Sequence, residues 1–126
     1  MNRPVHFEIL GEDPQALVEF YREALGWEIA TWPGGEQTYW LVTTGEDGEP
    51  GINGGIMGQE LPQTVINTIE VAELAPVLER VKALGGKVVH GPNPVAGVGL
   101  HAYCEDPQGI LFGLMETDPQ ADSGDA

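Results

Sequence analysis

From Val5 to Leu10 the chain alternates, with Val5, Phe7 and Ile9 on one face and His6, Glu8 and Leu10 on the other. A period of two predicts a β-strand with one face on a core. Past Asp13-Pro14 the period changes. Leu17, Val18, Phe20, Tyr21, Ala24 and Leu25 recur at spacings of three and four, the apolar face of a helix. Asp13 suits the cap, Pro14 the first helical position and Gly26 the left-handed stop. Trp27–Thr31 and Thr38–Thr44 read as strands turned through Pro33-Gly34-Gly35. A glycine-rich loop, GEDGEPGINGG, then leads to a short strand at Asn53–Met57.

The same succession restarts after Pro62-Gln63. Thr64–Val71 reads as a strand, and Leu74–Leu84 as a helix carrying Val77, Leu78, Val81 and Leu84 inward. Gly85-Gly86 ends it, Lys87–His90 is a strand, Pro92–Gly99 a loop and Gly99–Glu105 a strand. Asp106-Pro107-Gln108-Gly109 is a hairpin turn before a last strand, Ile110–Glu116. The two halves superimpose at a shift of 60 residues: Val5 falls on Val65, Ile9 on Ile69, Leu17 on Val77, Tyr21 on Val81 and Gly26 on Gly86. At the far end Gly55-Ile56-Met57 falls on Gly113-Leu114-Met115 at a shift of 58. A repeated unit that cannot bury its own sheet face implies that the copies pack together. The expectation is an α+β fold of two βαβββ modules, 4–58 and 63–116, in one domain over 1–116. Residues 117–126, small and acidic, are expected to be a disordered tail.

Charge narrows the partners. Twenty acidic against five basic residues leave a formal charge of −15, which repels nucleic acid and anionic membranes and suits a high-salt cytoplasm. No run is long and apolar enough to cross a bilayer, and MNRPVHFEIL lacks the apolar stretch of a signal peptide, so cytoplasmic residence is expected. Cys104 is the single cysteine; it excludes an intrachain disulfide and reads as a buried structural thiol. The glycine-rich loop has no Lys and carries Glu46, Asp47 and Glu49, so it is not a phosphate loop.

FYREALGW after a His-bearing strand, with DPQGILFGLME closing the chain, resembles the vicinal oxygen chelate superfamily of glyoxalases, bleomycin-resistance proteins and extradiol dioxygenases. YWLVTTGEDGEPGINGGIM and DPQGILFGLM are more similar still to a glyoxalase-like branch typified by a small mycobacterial antigen. The resemblance implies curved sheets enclosing a cleft, a common homodimer, and, in metal-dependent members, a divalent ion held by one ligand from each of four strands. His6 matches the first ligand. The other three positions fall on Gly55, Ile66 and Gly113, none of which offers a donor side chain. Glu116 lies three residues past Gly113 and so faces the opposite way.

No cofactor is therefore expected, and His6 would be a ligand only if a metal binds. By alternation the cleft-facing set is His6, Glu8, Asn53, Gly55, Met57, Ile66, Thr68, Leu111, Gly113 and Met115, a mostly apolar small-molecule site. His6 and Glu8 are the candidate catalytic pair, the carboxylate raising the imidazole pKa and orienting the ring. His90 and His101 read as loop and surface residues, and Trp27, Trp32 and Trp40 as packing. Tyr39, Trp40, His101 and Tyr103 sit on neighbouring strands, their facing left open by the sequence. Small-molecule binding without the metal is the first expectation; a superfamily enzyme (lyase, dioxygenase or modified biosynthetic activity) using His6 as acid/base or ligand is the alternative.

Overall fold

The computed structural model describes residues 1–33 and 38–118. Gly34 and Gly35 of the expected turn, and the tail from residue 119 on, lie outside the described residues. The fold is α+β, eight strands and two helices, and divides into two compact units: Val5–Ile66, and Met1–Pro4 with Asn67–Ala126.

The first βαβββ module holds β1 (Arg3–Gly11), α1 (Pro14–Leu25), β2 (Glu28–Thr31), β3 (Tyr39–Thr43) and β4 (Asn53–Gly58). Its strands lie in the order β2-β3-β4-β1, with β4 parallel to β1 and antiparallel to β3. Asp13 caps α1 by accepting from Ala16 N at 3.2 Å, and Gly26 ends it at φ 71° with its N–H on Arg22 O. The helix packs on the sheet through Leu17, Val18 and Tyr21, over Ile29, Val42 and Ile56. Its apolar face is narrower than expected. Phe20 lies about 200° round the helix from Val18 and is exposed, edge-on to Tyr21. Trp27 stacks flat on Tyr21 and Trp40 joins the same core, as packing residues.

The second module holds β5 (Val65–Glu70), α2 (Leu74–Ala83), β6 (Lys87–Val95), β7 (Gly99–Glu105) and β8 (Leu111–Thr117), ordered β5-β8-β7-β6 with β5 parallel to β8. Leu74 and Leu78 of α2 bury against Val71, Ala102, Cys104 and Leu114. Cys104 is fully buried, and burial pushes its thiol pKa up. The Asp106–Gly109 turn forms as expected: Gly109 N donates to Asp106 O at 2.9 Å, and Asp106 Oδ1 accepts from Gln108 N and Ile110 N.

Two expectations about this module are corrected. The expected loop at Pro92–Gly99 is for the most part strand, since β6 continues through Pro92 and Pro94 to Val95. Prolines are tolerated because β6 is the outer strand of its module and its ladder slips between Val88 and His90 and between His90 and Asn93. The last strand also runs on through Thr117, and Asp118 N donates to Val98 O at 2.7 Å, so the chain leaves the sheet later than expected.

Glu73 stands at the N-cap of α2, and its own side chain makes no cap hydrogen bond. The missing acceptor comes from β8, where Glu116 Oε1 accepts from Leu74 N at 2.8 Å. Glu116 is thus a helix cap supplied from another element. Glu116→Ala should cost about 1 kcal/mol, as loss of a side-chain cap does, measured as a fall in the urea midpoint; no change would mean that the bond carries no stability. No helix among the described residues is long and apolar enough to cross a membrane.

Candidate functional site

Strand alternation turns His6 and Glu8 to the same side of β1, away from Phe7 and Ile9, which pack with α1. Glu8 is 5% exposed and His6 is half-buried. A carboxylate at that depth is costly without donors. The donor is Tyr39, absent from the sequence-derived set. Its hydroxyl donates to Glu8 Oε2 at 2.8 Å, and His6 Nε2 lies 2.8 Å from the Tyr39 hydroxyl oxygen. The phenol therefore bridges the two side chains expected to act as a direct pair.

Gly55 explains how Tyr39 gets there. A Cβ built on Gly55 would collide with the Tyr39 hydroxyl and ring carbons. Tyr39 pairs with Met57, two residues along β4, and so reaches Gly55 on the diagonal. The bare glycine is the space in which the phenol lies.

The second module repeats the relation. His101 pairs with Met115, two residues from Gly113, and a Cβ on Gly113 would meet Thr68 Oγ1 at 2.8 Å and His101 Nε2 at 3.0 Å. His101 is thus not a surface residue but lies half-buried in mid-strand, edge-on to Tyr103 at 4.5 Å. Thr68 is 1% exposed, and among the described residues its Oγ1 is the one buried side-chain polar atom without a partner. His90, on β6, is exposed.

Within each unit some of the sequence-derived residues converge. His6, Glu8 and Gly55 converge with Tyr39; Thr68 and Gly113 converge with His101. Asn53 is exposed, its Oδ1 accepting from Thr44 N at 2.9 Å. Ile66 and Leu111 are buried, and Met57 and Met115 half-buried.

Burial of His6 lowers its pKa below the ordinary 6.5, and this outweighs the upward pull of the Glu8 charge. The expected rise is corrected: burial, which disfavours the charged imidazolium, is the larger cause, and the pull of the Glu8 charge the smaller. With the folded-state value depressed, the neutral ring favours folding above about pH 6.5, and that contribution is lost as the pH falls through the lowered value. Between pH 7.5 and 5.5 the wild type should lose more urea stability than His6→Gln; equal losses would contradict the depressed value.

The four-ligand metal pattern does not fit these residues. Where the first module's strand-end carboxylate would project, the Tyr39 ring fills the volume. Among the described residues no three His, Cys, Asp or Glu side chains converge.

The fold has counterparts among known proteins. Methylmalonyl-CoA epimerase from Mycobacterium tuberculosis superimposes with a TM-score of 0.66 at 17% identity, over 93% of this chain and 89% of that one. A Streptomyces coelicolor methylmalonyl-CoA epimerase variant in complex with 2-nitronate-propionyl-CoA gives 0.68 at 18% identity, over 97% and 99%. At such identities the likeness is one of fold. The probable chloroplastic lactoylglutathione lyase of Arabidopsis thaliana is 46% identical over 52 residues, 40% of this chain but only 15% of that protein's length. The sequence profile of one family matches residues 3–114, through both modules. The chain belongs to the glyoxalase/bleomycin resistance protein/dioxygenase superfamily.

Proposed function

We propose that this chain binds a small organic molecule against the polar cluster of its first module, without the divalent ion used by metal-dependent members. The convergence of His6, Tyr39 and Glu8 over a glycine carries the proposal. A carboxylate and an imidazole drawn out of water are an expense to folding, and such groups collect where ligands are handled. The Streptomyces coelicolor epimerase variant holds a CoA ester, a ligand class consistent with small-molecule binding here.

A second reading, an enzyme with His6 as general base, is favoured by the lowered imidazole pKa, which keeps the ring neutral and able to take a proton at neutral pH. Cytoplasmic residence and a homodimer are proposed alongside, the latter to be checked by light scattering.

The test is a thermal-shift screen of aromatic and planar natural products and acyl thioesters, on wild type and His6→Ala. At least one compound should raise the wild-type Tm by several degrees and lose most of that effect on the variant. No stabiliser, or stabilisation untouched by His6→Ala, would sink the proposal. Elemental analysis of protein purified without chelator should find less than about a tenth of a divalent metal per chain, whereas near-stoichiometric metal from four-ligand sites would contradict it.

A further inference from the structure

We infer that Tyr39 is a positioning residue that holds His6 as its Nε2–H tautomer, leaving Nδ1 as the hydrogen-bond acceptor and proton acceptor for a ligand that brings an O–H, an N–H or an acidic C–H. This rests on the proposed binding site and names the ligand class it would take.

The chain of donors has one consistent direction. Glu8, as a carboxylate, can only accept, so the single phenolic proton of Tyr39 goes to Oε2. The phenol oxygen is then an acceptor toward His6, and the ring nitrogen 2.8 Å away must carry the proton. A neutral imidazole has one N–H, so protonation at Nε2 leaves the lone pair on Nδ1. No described residue hydrogen-bonds Nδ1. His6 is only half-buried, so the side chain is not sealed from solvent. Gly55 is part of the device, because a Cβ there would collide with the phenol. The acceptor at Nδ1, the Glu8 charge and the strongly acidic chain all disfavour an anionic group at this point, and favour a neutral donor.

The step available to an acid C–H is balanced within these groups. The C–H electron pair stays on the ligand carbon, and the proton passes to Nδ1. The imidazolium so formed still donates its Nε2–H to the Tyr39 oxygen, and the phenol keeps its own proton, donated as a hydrogen bond to the Glu8 carboxylate. Tyr39 acts through His6 and need not touch the ligand.

Long-range 1H–15N correlation spectra of the full chain at pH 7.5 test this without any ligand. The His6 signals are assigned by their absence in His6→Gln. Wild type should show a pyrrole-type Nε2 and a pyridine-type Nδ1, with the Nε2–H form in about tenfold excess or more, the bias that one net hydrogen bond supplies. Tyr39→Phe should reduce that excess to a mixture. A wild-type Nδ1–H tautomer overturns the inference, and so does an Nε2–H excess unchanged in folded Tyr39→Phe. Should that variant not fold, the wild-type spectrum still decides. In the ligand screen, hydroxylated compounds should outbind their O-methyl ethers about tenfold; equal binding overturns the assigned ligand class. A screen with no binder but the expected tautomer would count against the binding proposal alone. Binders with the opposite tautomer would count against this inference alone.

Discussion

Gly55→Ala should destabilise the protein by about 2–4 kcal/mol and dismantle the His6–Tyr39–Glu8 cluster in one step. The added methyl falls within the Tyr39 ring, so either the backbone of β4 or the phenol must move. Overpacking of this kind costs about 1–3 kcal/mol. If the phenol moves, a carboxylate that is 5% exposed loses a donor, adding about 1–3 kcal/mol. The two terms share one cause and will not sum in full. Urea unfolding of Gly55→Ala in wild-type and Tyr39→Ala backgrounds separates them. Without the ring, the alanine should cost less than about 1 kcal/mol. An equal cost in both backgrounds would show that something other than Tyr39 excludes a side chain at position 55.

Gly99→Ala should be more damaging, at about 3 kcal/mol or more. Gly99 opens β7 at φ 147°, a conformation open in practice only to glycine, and its Cβ would collide with the carbonyl oxygen of Glu116 on β8. Neither atom is the end of a flexible side chain, so relaxation requires the β7–β8 ladder to shift. Gly26 supplies the control. It too has a positive φ, 71°, but nothing lies within 4 Å of its added Cβ. Gly26→Ala should therefore cost only the left-handed backbone term, about 1–2 kcal/mol. Thermal or urea unfolding of the two variants decides. A Gly99→Ala loss no larger than that of Gly26→Ala would mean the backbone contact is not felt.

The glycines also show where reading the chain succeeds and fails. Gly55 and Gly113 are legible as positions without a donor, because the absence of a side chain is itself written in the sequence. What fills the vacated volume is not. Eighteen residues separate Tyr39 from Met57, its partner across β3 and β4, whereas fourteen separate His101 from Met115 across β7 and β8. The shifts of 60 and 58 that align the halves elsewhere therefore never set Tyr39 against His101, although the two strand ladders place them alike. Ladder register would have found both, but register between strands joined by a loop of arbitrary length is not a property of local pattern. The β6 prolines failed for a related reason: whether proline ends a strand depends on whether its neighbour needs the missing N–H, and that is known only once the outer strand is identified.

The pattern of apolar positions by itself determined the strand and helix periods, the caps of α1, the repeat and hence the two βαβββ modules, because each is set by residues a few positions apart or by the comparison of the chain with itself. The same pattern placed His6 and Glu8 on one face of β1. Only the tertiary structure decided that a phenol stands between them, that burial of His6 outweighs the pull of a nearby carboxylate, and that Glu116 serves a helix 42 residues earlier in the chain. Each of those depends on which distant residues share a few ångströms, a quantity that side-chain period leaves open and strand register closes.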